Sequence, residues 1–102
     1  MKEWGDMMQQ AREMSERLQR MQEQLGSITV SGSSGGGMVT VAATGKQEIV
    51  SVRIEKEVVS PDDVVMLQDL VCAAVNDALA KARELMASEM SKVTGGAFPG
   101  GM

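Results

Sequence analysis

The stretch ITVSGSSGGGMVTVAATGKQEIVSVRIE, residues 28–55, decides the fold of this 102-residue chain. Apolar residues alternate with polar or small residues in three short runs, as in strands that bury one face. The connections, GSSGGG at 32–37 and Gly45-Lys46, are short and contain glycine, which favours hairpins. We therefore predict an antiparallel three-stranded meander with one apolar face. In the third run the alternation places Val50, Val52 and Ile54 on one face and Ile49, Ser51 and Arg53 on the other.

A long amphipathic helix precedes the strands. From Trp4 to Leu25, apolar residues recur at alternating intervals of three and four, which keeps them in a narrow seam, as in a coiled coil. Gly26 is expected to end this helix. The positions that flank the seam are nearly uncharged, so interhelical ion pairs would not select a partner. The seam consists of Trp4, Met7, Ala11, Met14, Leu18, Met21 and Leu25.

A second helix follows the strands. Ser60-Pro61-Asp62-Asp63 is predicted to start it, with a hydroxyl N-cap, proline at the first helical position and two carboxylates in the first turn. The helix then runs to about Lys92. It is apolar on two sides, so we expect the first helix or a second copy to pack behind it. The predicted core or dimer contacts are Val71, Ala74, Val75 and Ala78, and the strip on the opposite side is Met66, Ala73, Ala80 and Ala87.

The composition excludes several classes of function. The chain has no histidine and one cysteine, so it contains no Ser/His/Asp or Cys/His nucleophile pair and no internal disulfide. We expect no catalytic activity, metal, cofactor or small-molecule substrate. The sequence also shows neither a secretion signal nor a long apolar run, which predicts a cytoplasmic protein without a membrane span.

Several short motifs have plain structural interpretations. The glycine-rich run at 32–37 is a hairpin connection, because it lacks the Gly-Lys-Ser/Thr ending of a phosphate-binding loop. Asp62 and Asp63 are interpreted as capping residues, since adjacent helical positions do not face each other. Cys72 is expected to pack as a small hydrophobic residue, and Asp77 to be exposed.

The charged face of the first helix allows two interpretations. Glu13 and Arg17, and likewise Glu16 and Arg20, are spaced for i,i+4 ion pairs, which would give a solvated, self-paired face. Alternatively, the arginines contact DNA phosphates. The net charge of -4 argues against general affinity for polyanions, because such affinity comes mostly from Lys and Arg.

Three motifs together resemble the YbaB/EbfC family of bacterial nucleoid-associated proteins. They are V-x-G-x-x-G-x-G-x-V from Val30 to Val39, LVCAAVNDAL at 70–79 and KVTGG at 92–96. The resemblance implies an α+β fold of order α-β-β-β-α, with a three-stranded antiparallel sheet and long N- and C-terminal helices. It further implies an intertwined homodimer with projecting first helices, located in the nucleoid, and no catalytic activity.

The resemblance also implies binding of double-stranded DNA with little sequence specificity, in nucleoid organisation or gene regulation. The phosphate backbone would be contacted by Lys2, Arg12, Arg17, Arg20 and Lys92. The alternative is a chaperone-like or protein-binding coiled-coil module that uses the methionine-rich seam. Residues 1–92 are expected to form a single domain, and 93–102 a flexible tail rich in glycine and proline.

Overall fold

The structure, a computed structural model, describes residues 2–93 apart from the side chain of Lys2. The strands form one antiparallel sheet in the order β1-β2-β3, which confirms the predicted α-β-β-β-α architecture. Val93 is the last residue of the second helix, and the rest of the predicted tail lies outside the described residues. The elements are α1 (Lys2–Ser27), β1 (Thr29–Ser34), β2 (Val39–Thr44), β3 (Ile49–Ile54), a 3-10 turn (Lys56–Val58) and α2 (Val64–Val93).

The hydrophobic core lies between one face of the sheet and α2. Val39, Val41 and Ala43 of β2 are fully buried there against Ala74 and Ala78 of α2. Removal of this apolar surface from water is the main force that holds helix and sheet together. Val71 and Val75 are only partly buried at the margin of this core.

The hairpin between β1 and β2 is tighter than the sequence predicted. β1 continues to Ser34, so the turn occupies only residues 35–38. Gly35, Gly36 and Gly37 have φ angles of 60°, 68° and 96°, a left-handed region that glycine enters without steric cost. These three glycines therefore make the turn, and the first half of the predicted connection pairs as strand.

The register of β3 corrects the predicted alternation. Ser51 pairs with Ala42, whereas Ile49 pairs with Ala43, so Val50 is an extra residue in a bulge. Directly paired residues lie on the same face of a sheet. Ile49 therefore joins Val52 on the face of the buried Ala43, which contradicts the assignment of Ile49 to the other face. Every residue of β3 is exposed in the single chain.

The start of α2 also differs from the prediction. The helix begins at Val64, and Asp63 is its N-cap, because Asp63 Oδ1 accepts the N–H of Met66 at 3.0 Å. Ser60 Oγ instead accepts a hydrogen bond from the N–H of Asp62 at 3.2 Å, and the Ser60 carbonyl accepts one from the N–H of Asp63. The serine is thus satisfied by a local turn, and the second carboxylate takes over the capping role.

The first helix is anchored only at its C-terminal end. Met21 and Leu25 are buried, and the N–H of Gly45 donates to the carbonyl of Leu25 at 2.9 Å. The helix passes through Gly26 and ends at Ser27, so the predicted stop was one residue early. Residues 3–17 are all exposed, and the longest dimension of the molecule is 72 Å. We call residues 3–17 the arm, because they extend away from the rest of the fold.

Candidate nucleic-acid interface

The arginines of α1 are free to contact a ligand. Arg12, Arg17 and Arg20 are exposed, and within residues 2–93 none of them forms an ion pair with a carboxylate. Arg20 Nε instead donates to the main-chain carbonyl of Glu16 at 3.5 Å. The face is solvated, but the i,i+4 ion pairs Glu13–Arg17 and Glu16–Arg20 are not formed in this structure, so the three guanidinium groups keep most of their donors available.

Two of these arginines lie beside the end of α2. Arg17 and Arg20 line a groove of about 290 Å³ together with Lys92, and Lys92 Nζ lies 3.2 Å from Glu89 Oε1. The Lys92 side chain is 70% exposed and that of Glu89 only 19%, so the ammonium group remains accessible beside a largely covered carboxylate. We call this the α1–α2 groove; its lining residues are Arg17, Arg20, Met21, Gln24, Glu89, Lys92 and Val93.

The remaining predicted residues lie farther out. Arg12 is on the arm, two turns of helix or about 12 Å from Arg20 along the axis. One strand of duplex DNA carries a phosphate about every 3.4 Å. The row from Arg12 to the α1–α2 groove therefore has the length of three or four phosphates. Lys2 is the first residue of α1, and its side chain lies outside the described part of the chain.

The field around this row is mixed. Glu13 and Glu16 line a shallow depression together with Arg12, and the whole chain carries a net charge of -4. Long-range attraction of a polyanion is consequently weak. Any binding of a polyanion at this surface would have to rely on short-range contacts of individual guanidinium groups, whose donor forks match the oxygens of a phosphate.

Asp77 is a structural residue that the sequence did not reveal. Its Oδ2 accepts the N–H of Ser33 at 3.0 Å and a hydrogen bond from Lys81 Nζ at 3.2 Å. The Ser33 bond first, and then the Lys81 bond, hold the pKa of Asp77 below its ordinary value of 3.8. The Asp77 side chain is 39% exposed, as expected, but it also connects the β1–β2 hairpin to α2, away from the arginines. The sequence signal that could have drawn attention to Asp77 was its position within the motif LVCAAVNDAL.

The outer side of α2 stays uncovered in the single chain. Cys72 and Ala73 are exposed, and so is Met66 with 39% of its surface accessible. Cys72 is exposed in the single chain and is not part of the core, contrary to the prediction that it packs as a small hydrophobic residue. Ala74 and Ala78, in contrast, face the sheet and are fully buried. No helix within residues 2–93 has the length and apolarity needed to cross a bilayer.

The fold is that of a small α+β protein that presents exposed arginines on a projecting helix. The comparison with protein families names the group. This chain belongs to the YbaB/EbfC DNA-binding family, whose profile matches residues 1–97. The resemblance inferred from the three motifs is thereby confirmed.

Relatives of known name agree with this assignment. A nucleoid-associated protein of Caldanaerobacter subterraneus is 55% identical over 92 residues, which cover 90% of this chain and 83% of the relative. A nucleoid-associated protein of Syntrophobacter fumaroxidans is 51% identical over 87% of this chain and 81% of its own. The crystal structure of an uncharacterized protein from Helicobacter pylori superposes with a TM-score of 0.77 at 22% identity, covering 86% of this chain and 92% of that one. This last likeness concerns the fold alone.

Proposed function

We propose that this chain is a nucleoid-associated protein that binds double-stranded DNA through its phosphate backbone, with little sequence specificity. Its place in the cell would then be the nucleoid. Family membership and the names of the relatives support the class of function. The observation that carries the finer proposal is that Arg12, Arg17 and Arg20 are exposed and unpaired with carboxylates within the described residues.

The mechanism follows from what these side chains can reach. Each guanidinium donates two parallel N–H bonds to phosphate oxygens, while Lys92 adds a point charge at the end of the row. Contacts of this kind set the position of a protein on the duplex but do not distinguish bases. Sequence reading would require side chains inserted against base edges in a groove. A row of phosphate contacts along the side of α1 therefore gives loose specificity.

A homodimer is part of the same proposal. Ile49, Val52 and Ile54 form the β3 face, which continues the apolar side of the sheet beyond the edge of α2. These three side chains are 38–45% exposed in the single chain. Contiguous apolar surface of this kind marks an interface. The uncovered side of α2 offers a second copy the complementary apolar surface, and the dimer would present two arms to one duplex.

The DNA contacts are tested by charge reversal with a matched control. We expect Arg20→Glu to abolish most binding to a duplex of arbitrary sequence, measured by fluorescence anisotropy over a series of salt concentrations. Lys56→Glu makes the same change in charge at an exposed residue of the 3-10 turn and is expected to bind nearly as the parent protein does. Replacing Arg20 with Ala should reduce the slope of log affinity against log salt by about 1 for each arm engaged.

Two results would contradict the proposal. One is an affinity that does not change with salt, because phosphate contacts release counterions and must weaken as salt rises. The other is an equal loss of binding in Arg20→Glu and Lys56→Glu, since net charge alone would then explain the effect. A strong preference among unrelated duplexes would overturn the low specificity.

A further inference from the structure

The outer part of the α1 seam has no partner within its own molecule. Leu18, Met21 and Leu25 are half-buried or buried at the anchored end of the helix. In contrast, Trp4 is 69% exposed, Met7 63% and Met14 41%. We call Trp4, Met7, Ala11 and Met14 the arm seam. Four consecutive seam positions that are all exposed to solvent are a strong indication of an interaction surface.

Arg12 and Arg20 lie on the side of α1 away from the arm seam, whereas Arg17 lies beside the seam. At 100° per residue, Arg20 points roughly 160° away from the centre of the arm seam, Arg12 roughly 120° and Arg17 roughly 100°. A partner on the arm seam would therefore leave the guanidinium groups of Arg12 and Arg20 accessible to phosphate, while Arg17 would lie next to the partner. The arm seam is also separate from the β3 face, so it is not the surface of the homodimer proposed above.

We propose that the arm seam pairs with the arm seam of a second copy of this chain, as a short antiparallel coiled coil. Only one antiparallel register uses all four free positions and none of the residues already packed in the fold. It sets Trp4 against Met14 of the other copy, and Met7 against Ala11. Each layer then combines a larger side chain with a smaller one, which favours close packing.

Most positions that flank the seam are uncharged, but Glu3, which precedes the seam, and Arg17 favour the antiparallel direction. Glu3, Gln10 and Arg17 are seven residues apart and therefore occupy the same heptad position beside the seam. In an antiparallel pair, residues at this position of one helix lie next to residues at the same position of the other. In the register above, Glu3 of each copy lies beside Arg17 of the other, giving two opposite-charge pairs by symmetry. A parallel pair would place Glu3 beside Met8 and stack Trp4 on Trp4. Such pairing links two homodimers through their arms, and it does not require that DNA be bound.

The single tryptophan of the chain allows a direct test without DNA. In the parent protein we expect the emission of Trp4 to shift to shorter wavelength as protein concentration rises, together with sedimentation above the mass of the dimer. Met14→Lys removes an apolar group from two layers and should weaken the association by about a hundredfold or more. Gln9→Lys makes a comparable change on the opposite side of the arm and should leave the association unchanged. Circular dichroism of both variants verifies that the helices are formed.

The direction of pairing is tested by a charge exchange. Glu3→Arg and Arg17→Glu should each weaken the association by about tenfold, and the double variant should restore it. Failure of the double variant to restore association would overturn the antiparallel register. A Trp4 emission that stays at the wavelength of an exposed indole at all concentrations would overturn arm pairing altogether. A shift seen only after addition of an unfolded client would do the same, and would favour the chaperone-like alternative.

Discussion

Gly32 lies where β1 crosses α2, and no side chain fits at this position. A Cβ atom there would come within 2.2 Å of the backbone nitrogen of Ala78 and 2.6 Å of its Cα. Backbone atoms of a helix cannot move aside as a flexible side chain can. We expect Gly32→Ala to lower the free energy of unfolding by about 3 kcal/mol or more, measured by urea denaturation at a fixed protein concentration.

Gly5→Ala is the matched control for Gly32→Ala. Gly5 lies within α1, and a Cβ atom there would meet nothing within 4 Å. Alanine is preferred over glycine in a helix by up to about 1 kcal/mol, so this variant should be as stable as the parent protein or slightly more stable. Equal destabilisation by the two substitutions would show that the close approach of β1 to α2 is not what restricts residue 32.

Single residues differed in how well the sequence predicted their roles. The glycines of the hairpin were identifiable, because a turn between two alternating runs needs residues that accept positive φ. Asp77 was not, since its bond to Ser33 joins residues 44 positions apart. The bond also has a consequence for pH: a lowered pKa stabilises the fold above the ordinary value of 3.8, and this contribution disappears as pH falls through the lower value in the folded state.

At the scale of elements, α1 depends on its last turns for its attachment. Leu25 is fully buried against the sheet side of the fold, whereas Met7 lies on the exposed arm. We expect Leu25→Ala to lower the free energy of unfolding by about 2–5 kcal/mol, because it leaves a cavity in a packed region. The measurement is urea denaturation followed by circular dichroism.

Met7→Ala provides the comparison within the same helix. It should change the free energy of unfolding by no more than about 0.5 kcal/mol at concentrations too low for arms to associate, because its side chain loses no contact in the fold. If Met7→Ala destabilised as much as Leu25→Ala, the arm would have to be packed against the body, and the projecting helix would be an incorrect description.

The elements themselves followed from periodicity, but their ends did not. Helix and strand repeats are set by which side chains face the core, and these repeats span many residues. The start of α2 depended instead on a choice between Ser60 and Asp63 as N-cap, which local hydrogen bonds decide. The bulge at Val50 has a similar origin, because one extra residue reverses the facing of Ile49 without changing the composition of the strand.

At the scale of the whole molecule, the candidate interface depends on the packing of α1 beside the end of α2, which no local sequence pattern predicts. Arg17 and Arg20 could be identified as exposed residues of one helix, but their proximity to Lys92 arises only when α1 and α2 come together beside the sheet. The sequence therefore singled out Arg17, Arg20 and Lys92 but did not predict that they line one groove. Nor did the i,i+4 spacing of Glu13 and Arg17 decide whether they would pair, since exposed ion pairs contribute little free energy.

Dimer formation through the β3 face should also determine the affinity for DNA. Val52 lies on the β3 face, where a second copy would bury it, so Val52→Asp places a charge in the interface and should yield monomers. A monomer has one arm, and loss of simultaneous engagement by a second arm should lower DNA affinity by about a hundredfold. Sedimentation at concentrations below those of arm pairing gives the mass, and anisotropy gives the affinity.

Ser51→Asp is the control for this experiment. Ser51 pairs with Ala42 and lies on the other face of β3, so the substitution introduces the same charge one residue away but outside the β3 face. This variant should remain a dimer and bind DNA nearly as before, because salt in the solvent screens the interaction between one added carboxylate and the arginines of the arms. A dimeric Val52→Asp variant would show that the β3 face is not the interface. A monomeric variant with unchanged affinity would show instead that one arm suffices, so that the duplex is held along a single row of arginines and the second copy serves another purpose.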